Sequence, residues 1–157
     1  MPRTHSPLRN FAMKRRFVIL VAEDDSKDRE LLLHAARPDG RDFELHLTSD
    51  GEEALHYLKG HGRFGDRTRH PFPDLLLLDL KMPRVNGLEV LKWVREDSKH
   101  PRVPTVMLSG SGLEHDVEEA YRLGVNTYFT KPDSLHELRE LILSLVEYWS
   151  RSERPVS

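Results

Sequence analysis

Residues 74–87 read DLLLLDLKMPRVNG, and this stretch decides the fold. Four consecutive leucines, Leu75–Leu78, make an apolar run too short for a buried helix and far too short to cross a bilayer. An uninterrupted apolar run suits a strand covered on both faces, the environment of a central strand in a parallel sheet. Asp79 breaks the run, and Pro83 and Gly87 punctuate the residues after it, so the chain turns there before starting a helix. The expected elements are a strand over Asp74–Leu80 and a helix over Asn86–Glu96 carried by Leu88, Leu91 and Val94.

The same rhythm extends in both directions. Upstream, Phe17–Ala22 (FVILVA) reads as a strand ending abruptly in Glu23, Asp24 and Asp25. Ser26–Arg37 follows as a helix with Leu31, Leu32, Ala35 and Ala36 on one side, stopped by Pro38-Asp39-Gly40. Phe43–Thr48 alternates apolar and polar residues, as a strand near a sheet edge does, and Gly51–Lys59 is a short helix on Ala54, Leu55 and Leu58. The fourteen-residue loop Gly60–Pro73 is longer than most connections; its His61 and His70, with nearby His56, have spacings that do not share a helix face. Downstream come a strand at Thr105–Leu108, a helix at Glu114–Leu123 closed by Gly124, and a strand at Thr127–Thr130. Lys131-Pro132 stops that last strand and is a candidate cis peptide bond. The final helix spans Leu135–Ser150, opened by a capping box of Ser134 and Glu137, with a stripe of Leu135, Leu138, Ile142, Leu145, Val146 and Trp149. Leu143 falls outside that stripe and Tyr148 lies at its margin, which points to a homodimer contact through this helix.

Five strands alternating with five helices define an α/β protein, a doubly wound five-stranded parallel sheet with helices on both faces. Composition agrees with a soluble domain: 157 residues, 38% hydrophobic, 32% charged, net charge −2. That charge balance makes no case for nucleic acid, and no segment reads as a membrane span or signal peptide. The absence of cysteine excludes disulfides, thiol catalysis and thiolate metal sites, and suits a reducing cytoplasm. Residues 1–16 form a basic, flexible tail with Arg3, Arg9, Lys14, Arg15 and Arg16 and no acid, within which Met13 is a second possible start. The folded domain is expected over residues 17–150 and a C-terminal tail over 151–157.

Ligands of such sheets bind beyond the carboxyl ends of the strands. Four strands deliver polar groups there: Glu23, Asp24 and Asp25 from the first, Asp79 from the third, Ser109-Gly110-Ser111 from the fourth, and Lys131 from the fifth. Carboxylates gathered at one edge need a cation, and a hard divalent ion such as Mg²⁺ meets that need with oxygen ligands and retained water. Metal, ammonium and hydroxyl together suit the oxygens of a phosphoryl group, with Asp79 as the nucleophile.

The segments VILVAEDD, DLLLLDLKMPRVNG, PTVMLSG and TYFTKP, in this order and spacing, resemble the receiver domain of two-component response regulators, which has the flavodoxin-like fold. The resemblance covers Phe17 to Trp149. It implies that Asp79 accepts phosphate from a sensor histidine kinase, that Glu23, Asp24, Asp79 and the backbone carbonyl of Lys81 hold Mg²⁺, and that Lys131 and Ser109 contact the phosphoryl group. It makes Asp24 the direct metal ligand and places Glu23 behind a water. It further implies that Tyr128 turns inward as Ser109 moves, and that Lys81 and Ser111 flank the path of hydrolytic water. Ser109 stands where threonine is more frequent, and Asp25 is expected to cap the first helix. The SKD start of the first helix, the long loop and the EYW near the end look most like the stand-alone regulators of bacterial phytochrome kinases. Output is then by protein contact or onward phosphate transfer, and catalysis is confined to the chain's own phosphorylation and dephosphorylation. A Mg²⁺-dependent phosphatase with an aspartyl nucleophile is the first alternative, weakened because Lys81 occupies the place of its usual second aspartate. A phosphorylation-independent interaction module is the second.

Overall fold

A computed structural model describes residues 16–37 and 43–153. Five strands, β1 (Phe17–Ala22), β2 (Phe43–Thr48), β3 (Leu75–Leu78), β4 (Thr105–Ser109) and β5 (Thr127–Thr130), form one sheet in the order β2-β1-β3-β4-β5, parallel throughout. Helices α1 (Ser26–Ala35), α2 (Gly51–Lys59), α3 (Gly87–Glu96), α4 (Glu114–Arg122) and α5 (Leu135–Arg151) connect and follow them.

The central strands explain the leucine run. Leu75 and Leu77 point to one face, packing with Ile19, Val21, Val106 and Leu108 against Leu32 and Ala35 of α1 and Leu138, Ile142, Leu145 and Val146 of α5. Leu76 and Leu78 point to the other, packing with Leu20, Ala22 and Met107 against α2, α3 and Ala120 of α4. Both faces are dry, so alternation disappears from these strands. It survives in β2 at the sheet edge, where the residues between Phe43 and Thr48 are half-buried. Tyr128 and Phe129 likewise pack against opposite cores.

The register levels the carboxyl ends. Ala22 pairs with Leu78, Leu78 with Met107, and Met107 with Tyr128. The Asp79 amide donates to the Ala22 carbonyl (2.9 Å) and that of Lys131 to the Ser109 carbonyl (2.8 Å), so each polar residue leaves its strand held by a neighbour. Close packing continues beyond β3, where a Cβ built on Gly87 would lie 2.1 Å from the Asp79 carbonyl oxygen. In the intervening loop Arg84 adopts φ +64°, spanned by a Val85 N–H to Pro83 carbonyl bond of 2.8 Å. Its guanidinium pairs with Asp50, the N-cap of α2, and with Glu52 at 3.6 Å.

Several expectations need correction. Helix α1 ends at Ala35 rather than Arg37, and Arg139 of α5 donates to the carbonyls of Ala35 and Arg37, 3.0 Å each. Asp74 lies outside β3 because its carboxylate accepts the Val18 N–H at 2.8 Å. Leu143 is half-buried against the core, since α5 packs on both the sheet and α1 and buries more than one stripe. Leu135, counted in the stripe, is 45% exposed at the helix start, and Tyr148 is 67% exposed. The Lys131–Pro132 bond is trans, the lower-energy isomer by about 0.5–1 kcal/mol. The long loop is ordered by its own contacts: a 3-10 turn at Gly62–Phe64 buries Phe64, the Tyr57 hydroxyl donates to Pro71, and Arg67 donates to the carbonyls of Tyr57 and Leu58. Helix α5 runs to Arg151, one residue past its expected end. The basic tail, apart from Arg16, and residues 154–157 lie outside the described residues.

Candidate functional site

The carboxyl edge collects the predicted residues around Lys131. Its Nζ lies 2.6 Å from Glu23 Oε1, 2.7 Å from Asp28 Oδ2 and 3.3 Å from Asp79 Oδ2. Glu23 and Asp79 are buried, at 2% and 7% exposure, whereas Asp24 faces solvent. Carboxylate oxygens of Glu23, Asp24 and Asp79 all lie within 4.8 Å of one another. A cleft of about 470 Å³ opens beside this cluster at Asp79, lined by Asp79, Lys81, Ser109, Ser111, Leu113 and Lys131 among others.

Local structure fixes each group. Arg29 donates to the carbonyls of Glu23 (2.8 Å) and Asp24 (2.9 Å), bracing the turn after β1. Asp25 is the N-cap of α1, as expected, accepting the amides of Lys27 and Asp28. Ser109, 1% exposed at the end of β4, accepts the Ser111 N–H on its hydroxyl oxygen at 3.2 Å, which leaves its own hydrogen to donate elsewhere. The Tyr128 hydroxyl donates to the Ser111 carbonyl at 2.5 Å, and the Ser111 hydroxyl donates to Asp116 Oδ2 at 2.5 Å.

Electrostatics follow from burial. Burial pushes the Glu23 carboxyl up to about 7; the Lys131 bond opposes this, and the facing Asp79 adds to it. Burial alone would lower the Lys131 ammonium, but the bonds to Asp28 and Glu23 outweigh it and hold the pKa above its ordinary value. The carboxylates of Glu23, Asp24, Asp28 and Asp79 outnumber the single ammonium, and a divalent cation with oxygen ligands fits the Glu23, Asp24 and Asp79 donor set.

The sequence reading brought together Glu23, Asp24, Asp79, Ser109 and Lys131 but missed Asp28, a direct partner of Lys131. Its place three residues after the Asp25 cap, in the first turn of a helix that starts at the sheet's carboxyl edge, was the available signal. Asp116 was missed too, because its partner Ser111 is set by loop geometry.

This fold and site define an α/β protein with an acidic pocket at the switch point of its sheet. More particularly, the chain belongs to the response regulator receiver domain family, which it matches over residues 19–143. It is 34% identical over 132 residues to response regulator Rcp1 of Synechocystis sp., covering 84% of this chain and 88% of Rcp1. Rcp1 has been solved in an Mn²⁺-bound form, at 32% identity and TM-score 0.76, with 90% of this chain and 99% of that one covered. The phosphorylated cyanobacterial phytochrome response regulator RcpA superposes with TM-score 0.80 at 33% identity, covering 91% of this chain and 100% of its own. The bacteriophytochrome response regulator RtBRR does so with TM-score 0.70 at 38% identity, over 91% of this chain and 82% of its own. The chain is thus a receiver-domain response regulator homologous to phytochrome-linked regulators.

Proposed function

We propose that Asp79 is the phosphoacceptor and that a sensor histidine kinase of the phytochrome type is the donor. The observation that carries this reading is the Lys131 ammonium, 3.3 Å from the buried Asp79 carboxylate at the mouth of a cleft that Ser109 also lines. A carboxylate oxygen of Asp79 attacks the phosphorus of a phosphohistidine; the new O–P bond forms as the N–P bond breaks, and the imidazole leaves. Lys131, kept charged by its acidic neighbours, neutralises the transferred group, and the free hydroxyl hydrogen of Ser109 donates to a phosphoryl oxygen. Glu23, Asp24, Asp79 and the Lys81 carbonyl are the groups that would hold Mg²⁺, whose contribution when bound is positive charge on the phosphoryl oxygens. Movement of Ser109 toward phosphate is relayed to Tyr128, whose hydroxyl already meets the same loop at Ser111.

Catalysis in this reading is limited to the chain's own phosphorylation and dephosphorylation. Output is through protein contact or onward transfer in the cytoplasm; no described helix is long and apolar enough to cross a membrane. The exposed Tyr148, packed edge-on against Trp149 at 4.9 Å, supports a homodimer through α5. The direct test is transfer from a phytochrome-type histidine kinase autophosphorylated with labelled ATP. Label passing to the wild type and not to Asp79→Asn supports the reading; label retained by the kinase in both, with partner binding unchanged, supports the phosphorylation-independent module.

A further inference from the structure

Ser111 is the junction of the β4–α4 loop. Its amide donates to Ser109, its carbonyl accepts from Tyr128, and its hydroxyl donates to Asp116. Helix α4 begins without a side-chain bond from its N-cap Leu113, and the Leu113 amide reaches the Ser111 hydroxyl oxygen only at 3.4 Å, a long hydrogen bond. Asp116 supplies the shorter hold on Ser111 from inside the helix. Its side chain is 13% exposed, with Oδ2 on the Ser111 hydroxyl and Oδ1 3.2 Å from His115 Nε2. Its negative charge sits in the first turn, where the helix dipole favours it.

We propose that Asp116 is a positioning residue: by gripping the Ser111 hydroxyl it aims the Ser111 carbonyl at Tyr128 and holds that ring inward before any phosphate arrives. The proposal rests on the reading of Tyr128 as the group that answers phosphorylation at Asp79. Tyr128 is half-buried against the core that contains Met107 and Ala120, and its hydroxyl reaches the Ser111 carbonyl while the loop keeps this shape. A hydroxyl donating to a carboxylate at 2.5 Å is a charge-assisted bond, stronger than a neutral one. Since the inward ring and the phosphorylated site favour each other, a ring already inward makes the phosphorylated state more favourable by the same factor that phosphate favours the inward ring. Loss of the Asp116 bond therefore releases Tyr128 and lowers the phosphorylated fraction together.

The test uses the whole chain with its four tyrosines replaced by 3-fluorotyrosine, the Tyr128 signal being assigned with Tyr128→Phe. Without phosphodonor or metal, a soluble paramagnetic probe should broaden the Tyr128 line several-fold more in Asp116→Ala than in wild type. Tyr57, 1% exposed, is the internal control for an intact fold. Asp116→Asn, whose amide oxygen still accepts the Ser111 hydroxyl in a weaker neutral bond, should restore most of the wild-type line. With acetyl phosphate and Mg²⁺, the ratio of phosphorylated to unphosphorylated Asp116→Ala should be lower by about tenfold, the low end of what one lost hydrogen bond to a charged group gives. A Tyr128 line in Asp116→Ala identical to wild type overturns the proposal, as does Asp116→Asn behaving like Asp116→Ala. If Asp116→Ala does not fold, Ser111→Ala removes the same bond from the other side and is judged by the Tyr128 line alone, since Ser111 also lines the cleft. If the wild type takes up no phosphate, the receiver chemistry falls, while the line-broadening comparison still decides the role of Asp116.

Discussion

Gly87→Ala sets two ordinary effects against each other in a way this structure decides. Gly87 is the first residue of α3, and replacing a glycine by alanine stabilises by about 0.5–1 kcal/mol in the middle of a helix, which is the upper limit of the gain at its first position. Here the added methyl would lie 2.1 Å from the Asp79 carbonyl oxygen and 3.2 Å from the Leu80 Cα, both backbone. Ordinary contact is about 3.5 Å, so the strand end and the helix must separate by about 1.4 Å. Overpacking of that kind costs about 1–3 kcal/mol, which exceeds the propensity gain. A net loss of about 1–2 kcal/mol lowers Tm by roughly 2–8 °C in a domain of this size. The shift also displaces the carbonyl of Asp79, the proposed phosphoacceptor, so phosphorylation by a small donor should slow by more than tenfold. Thermal unfolding by circular dichroism and a timed phosphorylation assay measure the two effects. A Tm equal to or above wild type, with unchanged phosphorylation, would refute the steric argument.

Other outcomes rest on the same contacts. Lys131→Met leaves Glu23 and Asp79 without their ammonium; phosphorylation should fall at least a hundredfold, and the variant should gain more stability from Mg²⁺ than wild type does, read by urea titration with and without the ion. Asp50 feels burial, which raises its pKa, but the Glu53 amide and Arg84 outweigh it and hold the carboxyl below its ordinary 3.8. A depressed acid stabilises above its unfolded value and loses that contribution as pH falls through the folded one. The stability gap between wild type and Asp50→Asn should therefore be present at pH 7 and close below pH 4 in urea titrations; a gap that persists there contradicts the assignment. Tyr148→Glu should shift a concentration series in sedimentation toward monomer, and identical profiles would remove α5 as the contact.

Much of the fold was legible because the sheet is parallel and central. The leucine run of β3 and the FVILVA of β1 have no polar face to show, and their boundaries at Asp79 and Glu23 are abrupt changes of chemistry. Site residues at strand ends were readable for the same reason, since the register levels those ends. Asp28 and Asp116 were not, because each acts from a helix first turn whose direction depends on how the helix leaves the sheet. Leu143 was misjudged because a stripe counts one contacting surface, whereas α5 packs on two. The loop Gly60–Pro73 reads as polar and irregular, yet Phe64 and Arg67 fasten it to α2 through contacts with no periodicity to announce them.

Everything proposed for the site depends on Asp79 carrying the phosphate under a divalent ion and Lys131. Incubation of wild type and Asp79→Asn with a small phosphodonor and Mg²⁺, followed by intact mass, puts that dependence to the test. One phosphoryl adduct is expected on the wild type, none on Asp79→Asn, and no reaction when Mg²⁺ is chelated. An adduct of equal yield on Asp79→Asn, or none on the wild type under conditions of slow hydrolysis, would overturn the assignment.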